Sequence, residues 1–476
     1  VEWMAGATWQ KTDLDIVSNS PRGNVRRGLR YNRGGENQEW KTVFATVTMN
    51  FMDGRASLDL GGRYTKLDKT GFISGLAAQW VFDVNPCDPD QTDPPGGGDI
   101  DPSTCPLHPR AVQISAADTE FLLPGADVNN LWVIPWRRSR NTPSSWIGNR
   151  ATAVGMTIPM DLEGDGPYGP GNGGDFGTSE FDPQVTLRYR PNENHSLFLR
   201  YAESFKAGGF DTGVTSIPGS IDDFRFEGES GSTIELGSKG DLFGGRARYD
   251  VTLFETTFDD LQVASDTGNP DDPFRNLNAG QQQVSGVEFS LTTAITDSLT
   301  VNFGGALMNG EMTDFPNAGC TEDELANADT GPCISAAESI ALIGNDNLEG
   351  TIDRTGTPAP KTPDYKFVFG LDYERPVMGD FLLSFNAKGY ISDGFITDAS
   401  GFSKIVMMNK HEDLNVNLGF GPQDGQWQVS AFGRNLLEAR VEYNAQFDVR
   451  PIGIRSTQLS RSDFRSYGLK FRYNFN

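Results

Sequence analysis

Long apolar runs are missing from this sequence, as are most marks of a soluble enzyme. No stretch approaches the roughly 18 apolar residues that a transmembrane helix needs, and the mean hydropathy is −0.43. The 40 Lys and Arg residues are outnumbered by 64 Asp and Glu, for a formal net charge of −24. This balance argues against a nucleic-acid partner.

Histidine is also scarce, and the three residues, His108, His195 and His411, lie far apart in the sequence. We find no spacing typical of a haem or metal site, no Ser/His/Asp set and no phosphate-binding loop. The sequence therefore predicts no metal site, no cofactor and no enzyme activity.

Aromatic residues and glycine are abundant instead, with 55 Gly, 31 Phe and 12 Tyr. This mixture is too aromatic for a disordered acidic chain and too polar for a helical membrane protein. If the chain crosses a membrane, it must do so with strands.

The four cysteines form two local pairs. Cys87 and Cys105 lie in one Pro/Asp/Gly-rich stretch, and Cys320 and Cys333 lie in another polar stretch. Neither pair has the Cys-x-x-Cys spacing of a zinc site, which is the alternative use of paired cysteines. Two disulfides and an oxidising compartment are predicted.

Alternation of apolar and polar residues with period two recurs along the chain. In the last strand Tyr467, Leu469, Phe471, Tyr473 and Phe475 share one face. A barrel with a lipid face and a lumen face requires this pattern. With the first and last strands, six hairpins make about 14 strands of an all-β transmembrane antiparallel β-barrel over residues 1–476. The hairpins are predicted at 43–51/56–60, 185–189/197–201, 234–236/247–253, 287–295/299–303, 367–373/381–385 and 414–420/427–431.

Long polar segments separate these hairpins, with limits at about 13–39, 68–180, 208–228, 259–283, 313–363, 393–410 and 437–464. Short turns that alternate with long loops are typical of outer-membrane barrels, with turns on the periplasmic side and loops outside. The longest extracellular loop is therefore predicted at 68–180. Because the first residues already alternate, we also expect the chain to begin inside a strand, with earlier strands missing.

Several ordered blocks resemble the TonB-dependent receptor family of outer-membrane barrels. The blocks are LFLRYAESFKAGGF (197–210), ELGSK (235–239), LFETTFDDLQ (253–262), NAG (278–280), SGVE (285–288) and GRNL (433–436). The resemblance implies a 22-stranded barrel closed by an N-terminal plug, with the plug and the TonB-contacting segment absent from this sequence. It also implies an outer-membrane location and the energy-coupled import of a scarce solute, with a ferric siderophore favoured. Outer-membrane lipid and lipopolysaccharide would be further partners.

Within the blocks, small and amide residues are expected to serve structure. Gly208 and Gly209 would allow a sharp exit from a strand. Asn278, Gly280 and Asn435 would satisfy turns and rims rather than touch the cargo.

The loop 68–180 contains the one segment with binding chemistry. It places Trp132 and Trp136 beside Arg137, Arg138 and Arg140. Indole faces and guanidinium groups suit ring stacking and bidentate contacts to carboxylates, so these five residues are the candidate ligand site. The alternative is that the tryptophans only fold a large loop onto itself.

Three other functions remain open from the sequence. A passive porin shares the turns, loops and lumen but needs no plug. A surface adhesin or assembly protein would use the long loops, and a soluble multidomain β protein would need no detergent. The identity of the solute is not specified by any motif.

Overall fold

The computed structural model describes residues 1–21, 29–80, 112–113, 132–135, 175–210, 225–266, 274–320, 333–343, 351–396, 407–439, 442–448, 454–459 and 464–475. Nearly all of these residues are in strands. In chain order the strands are β1 (Glu2–Pro21), β2 (Leu29–Phe51), β3 (Ala56–Trp80), β4 (Val112–Gln113), β5 (Trp132–Pro135), β6 (Asp175–Asn192), β7 (His195–Lys206), β8 (Gly209–Phe210), β9 (Arg225–Phe226), β10 (Glu229–Leu242), β11 (Ala247–Asp266), β12 (Phe274–Thr296), β13 (Leu299–Asp314), β14 (Ala318–Gly319), β15 (Thr351–Ile352), β16 (Thr357–Pro358), β17 (Tyr365–Val377), β18 (Phe381–Ser392), β19 (Phe395–Ile396), β20 (Met407–Met408), β21 (His411–Pro422), β22 (Trp427–Arg434), β23 (Glu442–Asp448), β24 (Ile454–Leu459) and β25 (Ser466–Tyr473).

Within the described residues, 17 strands form one antiparallel sheet. The fourteen that have eight or more residues pair in the order β1, β2, β3, β6, β7, β10, β11, β12, β13, β17, β18, β21, β22, β25. Each long strand therefore pairs with the next long strand in the chain, as in an up-and-down barrel wall. The predicted all-β fold, its six hairpins and its first and last strands are confirmed.

The strands extend well past the predicted loop limits. β1 and β2 pair as far as Pro21 and Leu29, so the loop predicted at 13–39 is mostly strand. β3 continues to Trp80 and β6 begins at Asp175, inside the range 68–180. At about 3.3 Å per residue, the 25 residues of β3 span about 80 Å. An apolar band is only about 25 Å tall, so a strand of this length extends beyond the band, where the rule of alternation no longer applies.

The two faces of the sheet differ in chemistry. On one face large apolar side chains remain exposed, as with Leu236 and its cross-strand partner Leu253, which are 54% and 53% exposed. The neighbouring positions Glu235 and Thr252 point to the other face, where ion pairs collect. Such an extensive exposed apolar face is compatible with lipid and not with water.

The segment between β13 and β17 packs a small core of its own. Cys320 and Cys333 form a disulfide and are both almost fully buried. Met312, Phe315 and Ile352 pack around them. The predicted Cys320–Cys333 bond is confirmed. Cys87 and Cys105 lie outside the described residues, so their bond stays a prediction.

A short helix, Ala336–Ile343, lies in the same segment. Its start is a capping box, in which the Ser335 N–H donates to Glu338 Oε2 at 2.9 Å and the Glu338 N–H donates to Ser335 Oγ at 3.3 Å. The Ser335 N–H and then its hydroxyl lower the pKa of Glu338. No helix in the described ranges has both the length and the apolar character needed to span a membrane.

Candidate functional site

Ion pairs cross the polar face of the sheet on β3, β6, β7 and β10. Arg63 donates from Nε to Asp182 Oδ2 at 2.8 Å, and its terminal nitrogen lies 2.7 Å from the same oxygen. Arg200 contacts Glu235 at 3.3 Å, and Arg188 contacts Asp59 at 3.3 Å. Each pair joins neighbouring strands, so the pairs depend on the register of the sheet.

Between the first two of these pairs the wall has a recess of about 460 Å³. Its lining includes three residues with little or no side chain, Gly61, Gly62 and Ala202. Its polar lining includes Gln184, whose Oε1 accepts a hydrogen bond from Arg200 at 3.4 Å. Five ionised groups line the recess, Arg63 and Arg200 against Asp182, Glu203 and Glu235, and they sum to a charge of −1. The recess can therefore donate and accept hydrogen bonds without selecting strongly for one charge.

A buried ion pair lies nearer the long-loop end of the same face. Lys69 Nζ is 2.8 Å from Glu36 Oε1, and both side chains are about one-tenth exposed (9% and 10%). Gln38 donates to Glu36 at 2.7 Å, and Trp40 donates to Gln38 at 3.0 Å. A Cβ at Gly209 would lie 3.0 Å from Lys69 Nζ, so the backbone of β8 covers the pair directly.

β8 and β9 pair with each other and fold over this polar face. We call them the inner hairpin. Gly208 is required at its entry, because a Cβ there would lie 2.4 Å from the Phe226 carbonyl oxygen and 2.7 Å from the Phe176 ring. The predicted sharp exit from the strand at residues 208–209 is confirmed. The inner hairpin therefore narrows the polar side at the loop end.

Two side chains anchor the ends of the segment that carries the inner hairpin. Asn278 donates to the carbonyl oxygens of Glu227 and Asp260 at 3.1 and 2.9 Å and accepts from the Glu227 N–H at 2.8 Å. Gln262 donates to the carbonyl oxygens of Ala207 and Glu227, both at 3.0 Å. The family block around Asn278 is thus a structural clamp.

Two further residues of the family blocks also serve structure. Gly280 lets the Asp314 backbone approach closely, since a Cβ would lie 2.2 Å from its carbonyl oxygen. Asn435 exchanges two hydrogen bonds with the backbone of Ala439, both at 2.7 Å, in the turn after β22. Asn435 thus satisfies a turn as predicted, whereas Gly280 lies within β12 and permits a close backbone approach there.

The candidate ligand residues of the long loop are barely covered by the described structure. Trp132 begins β5, whose backbone pairs with β4 and with the end of β3. Trp136, Arg137, Arg138 and Arg140 lie outside the described residues. Their role in binding stays a prediction.

No sequence motif indicates the ion pairs on the polar face. They occupy the polar positions of the alternating strands, so taking every second residue of β3, β6 and β7 would have found Arg63, Asp182 and Arg200. Which carboxylate meets which arginine could not be found in this way. In the described part of the chain, no cluster of three or more His, Cys, Asp or Glu side chains is arranged to hold a metal ion.

Comparisons with known proteins agree on one family. A family model described as TonB dependent receptor-like, beta-barrel matches residues 1–436. The probable TonB-dependent siderophore receptor PiuA of Acinetobacter baumannii is 25% identical over 173 residues, which are 35% of this chain and 22% of that protein.

Two solved structures share the fold at low identity. The ferric yersiniabactin uptake receptor FyuA from Yersinia pestis matches with a TM-score of 0.60 and 12% identity, over 100% of this chain and 51% of that chain. The copper transporter OprC matches with a TM-score of 0.51 and 11% identity, over 99% of this chain and 62% of that chain. The chain thus spans about half to three-fifths of the length of these two structures.

A meandering sheet with an apolar outer face and an ion-paired inner face is the wall of a membrane β-barrel. The chain belongs to the TonB-dependent receptor-like β-barrel family, and it is an outer-membrane protein.

Proposed function

We propose that this chain forms the barrel of an energy-coupled receptor that imports a ferric siderophore across the outer membrane. The observation that carries the proposal is the family match over residues 1–436. The similarity to a probable siderophore receptor supports the choice of cargo.

The polar face suits the passage of a bulky hydrophilic solute. Its arginines Arg63 and Arg200 are paired with Asp182 and Glu235, so neither offers an unpaired positive charge that would trap an anionic cargo. The recess between these pairs offers room and hydrogen-bonding groups in the wall. A polar wall of this kind supports a role in transport.

The proposed partners follow from the family. TonB would supply energy through a plug segment, and lipid and lipopolysaccharide would surround the apolar face. Trp132, Trp136, Arg137, Arg138 and Arg140 are proposed to contact an anionic siderophore in the long loop, through stacking and charge-assisted hydrogen bonds.

Uptake of radioactive iron tests this function. Cells that lack the complete protein should lose uptake from the cognate ferric siderophore and grow poorly when iron is chelated. Uptake in wild-type cells should stop when the proton gradient is dissipated or TonB is deleted. A barrel variant such as Arg472→Ala, which changes an exposed side chain, serves as the expression control.

The alternatives predict different outcomes. A passive channel would keep importing solute after the proton gradient is lost. An adhesin would show no uptake defect on deletion. Because the copper transporter OprC shares the fold, growth should also be measured with copper chelated. A defect that is confined to copper limitation would replace the siderophore with copper as cargo.

A further inference from the structure

The short-turn end of the barrel wall has an unusual pattern of exposed apolar residues. Met52, Phe243 and Met378 lie in the turns β2–β3, β10–β11 and β17–β18 and are 53%, 80% and 86% exposed. Each is the first residue of its turn, directly after the last residue of a strand.

All three are held in a conformation that bulky residues rarely adopt. Their φ angles are 54°, 55° and 49°, in the left-handed region that favours glycine. A large apolar side chain here incurs both backbone strain and exposure to water. Departures from local sequence rules of this kind concentrate at functional positions.

The turns with an apolar first residue alternate along the sheet with turns that contain no apolar residue, which we call the acidic turns, although Asp53 and Asp380 also lie in two of the apolar turns. The hairpins β6–β7, β12–β13 and β21–β22 present Glu193, Asp297 and Asp424 in their turns, and none of these three residues has a positive φ. Successive apolar turns lie four strands apart, which corresponds to about 19 Å along the rim. The apolar residues are thus spaced points around the rim and not one continuous patch.

Each apolar turn residue directly follows a strand position on the lipid-facing side. The residue before it is Phe51, Leu242 or Val377, and the last two pair across the hairpin with Ala247 and Phe381. Phe51 is itself an exposed member of the apolar face. The three turn residues are therefore contiguous with the band of the sheet that contacts lipid.

An exposed arginine accompanies each apolar residue at a distance of three positions. Arg55 follows Met52, Arg246 follows Phe243, and Arg375 precedes Met378. The guanidinium of Arg246 also donates to the Ala294 and Ile295 carbonyl oxygens and lies 4.0 Å from Asp297 of the next turn. An apolar side chain beside a guanidinium group matches the boundary between acyl chains and anionic headgroups. The arginines would meet phosphates while the Met and Phe side chains enter the apolar layer.

We propose that Met52, Phe243 and Met378, each with its neighbouring arginine, anchor the short-turn rim in the phospholipid leaflet that it faces. The occupant is the headgroup boundary of that leaflet. The acidic turns between the anchors stay in water. The rim is thereby held at three regularly spaced points without an additional protein.

Spin labels at the turns test the proposal in the complete protein, reconstituted in phospholipid vesicles. Phe243→Cys and Met378→Cys are labelled with a nitroxide, and Glu193→Cys in an acidic turn is the matched control. The unsubstituted protein, treated with the same reagent, gives the background. Power saturation then compares the access of each label to dissolved oxygen with its access to a water-soluble nickel chelate.

We expect the labels at 243 and 378 to be several-fold more accessible to oxygen relative to nickel than the label at 193. Labels at all three positions with equal, nickel-favoured access would overturn the proposal. A strongly immobilised label that neither reagent reaches would indicate a protein contact, and it would overturn the lipid assignment as well.

The proposed contact between the arginines and anionic headgroups is tested separately. The oxygen preference at position 378 should be larger in vesicles that contain phosphatidylglycerol than in phosphatidylcholine alone, and Arg375→Gln should remove this difference. If Arg375→Gln leaves the difference unchanged, the contribution of charge is refuted.

Discussion

Lys69 and Glu36 form an ion pair with a distance of 2.8 Å beneath the backbone of Gly209. Their strands, β3 and β2, are neighbours in the sheet, and the inner hairpin closes the space above them. If either partner of such a buried pair is removed, the other is left as an uncompensated buried charge, which destabilises the fold. The pair therefore joins two wall strands directly beneath the inner hairpin.

Substitution of one partner tests how much the Lys69–Glu36 pair contributes to stability. Lys69→Met leaves the Glu36 carboxylate buried without its cation, and we expect a loss of about 3 kcal/mol in the free energy of unfolding. Urea titration in lipid vesicles measures it. The double variant Glu36→Leu/Lys69→Met should recover most of the loss. Lys66→Met, which removes an exposed pair with Asp68, should cost under about 1 kcal/mol. Equal losses in Lys66→Met and Lys69→Met would contradict the expectation.

The Cys320–Cys333 disulfide should stabilise the loop between β13 and β17 and not the barrel. Closing a loop of this length is worth about 3 kcal/mol, and the two sulfurs belong to a local core. Cys320→Ser/Cys333→Ser should therefore become sensitive to protease within 315–363 while the barrel strands stay protected. Mass spectrometry of the fragments locates the cuts. The same map without reductant should recover Cys87 linked to Cys105, and free thiols at those positions would refute the second bond.

The assignment of the lipid face can be tested in β25. Leu469 and Phe471 are 79% and 66% exposed on the apolar face, while Arg472 has the opposite parity. Leu469→Arg or Phe471→Arg near the midplane should cost about 2–4 kcal/mol in the free energy of unfolding, measured in vesicles, because a charge enters lipid. Arg472→Ala should cost little. A larger loss for Arg472→Ala would mean that the register of the strand is inverted.

The capping box predicts a pH dependence for the helix Ala336–Ile343. The Ser335 N–H and hydroxyl lower the pKa of Glu338 from its ordinary value of 4.5. A carboxyl whose pKa is lowered by folding adds stability above its ordinary pKa, and this stability is lost as the pH falls through the lowered value. An NMR titration of the Glu338 carboxyl should show the lowered pKa. Ser335→Ala should move it upward, and no movement would contradict the role of the box.

Substitutions in the aromatic and basic segment of the long loop are expected to weaken siderophore binding. Arg137→Ala and Arg138→Ala should each weaken siderophore binding roughly tenfold or more, since a charge-assisted hydrogen bond contributes about 1.5–3 kcal/mol. Trp136→Ala should add a loss that salt does not change, because stacking is not screened. Binding is measured by fluorescence quenching, with the thermal stability of the barrel as control. Normal uptake in the triple variant would leave these residues only a structural role.

The strand positions were predictable because lipid imposes a strict rule on sequence. Every second residue of a spanning strand must be apolar, as in Leu469 and Phe471. This rule can be applied to one strand without knowing which strands lie beside it. The rule stops at the edge of the apolar band. For that reason the sequence predicts loops at the outer halves of β1, β2 and β3, although their backbones remain paired.

The site was less accessible to sequence reasoning. Arg63 and Asp182 are separated by 119 residues, and the long segment between β3 and β6 intervenes. Gln262 and Asn278 belong to recognisable family blocks, but their role as clamps depends on carbonyl groups in the segment 207–229. Neither contact leaves a local signal.

The sequence by itself determined that the chain is a series of lipid-facing strands joined by short turns and long loops. Alternation and turn residues are local signals, because each involves only a few neighbouring positions. Only the tertiary structure decided that Lys69 meets Glu36 and that Arg63 meets Asp182. Such contacts depend on the register between strands, which the backbone hydrogen bonds of the whole sheet set together. They also depend on the inner hairpin, which lies over Lys69 and Glu36, whereas Arg63 of the other pair stays about half exposed.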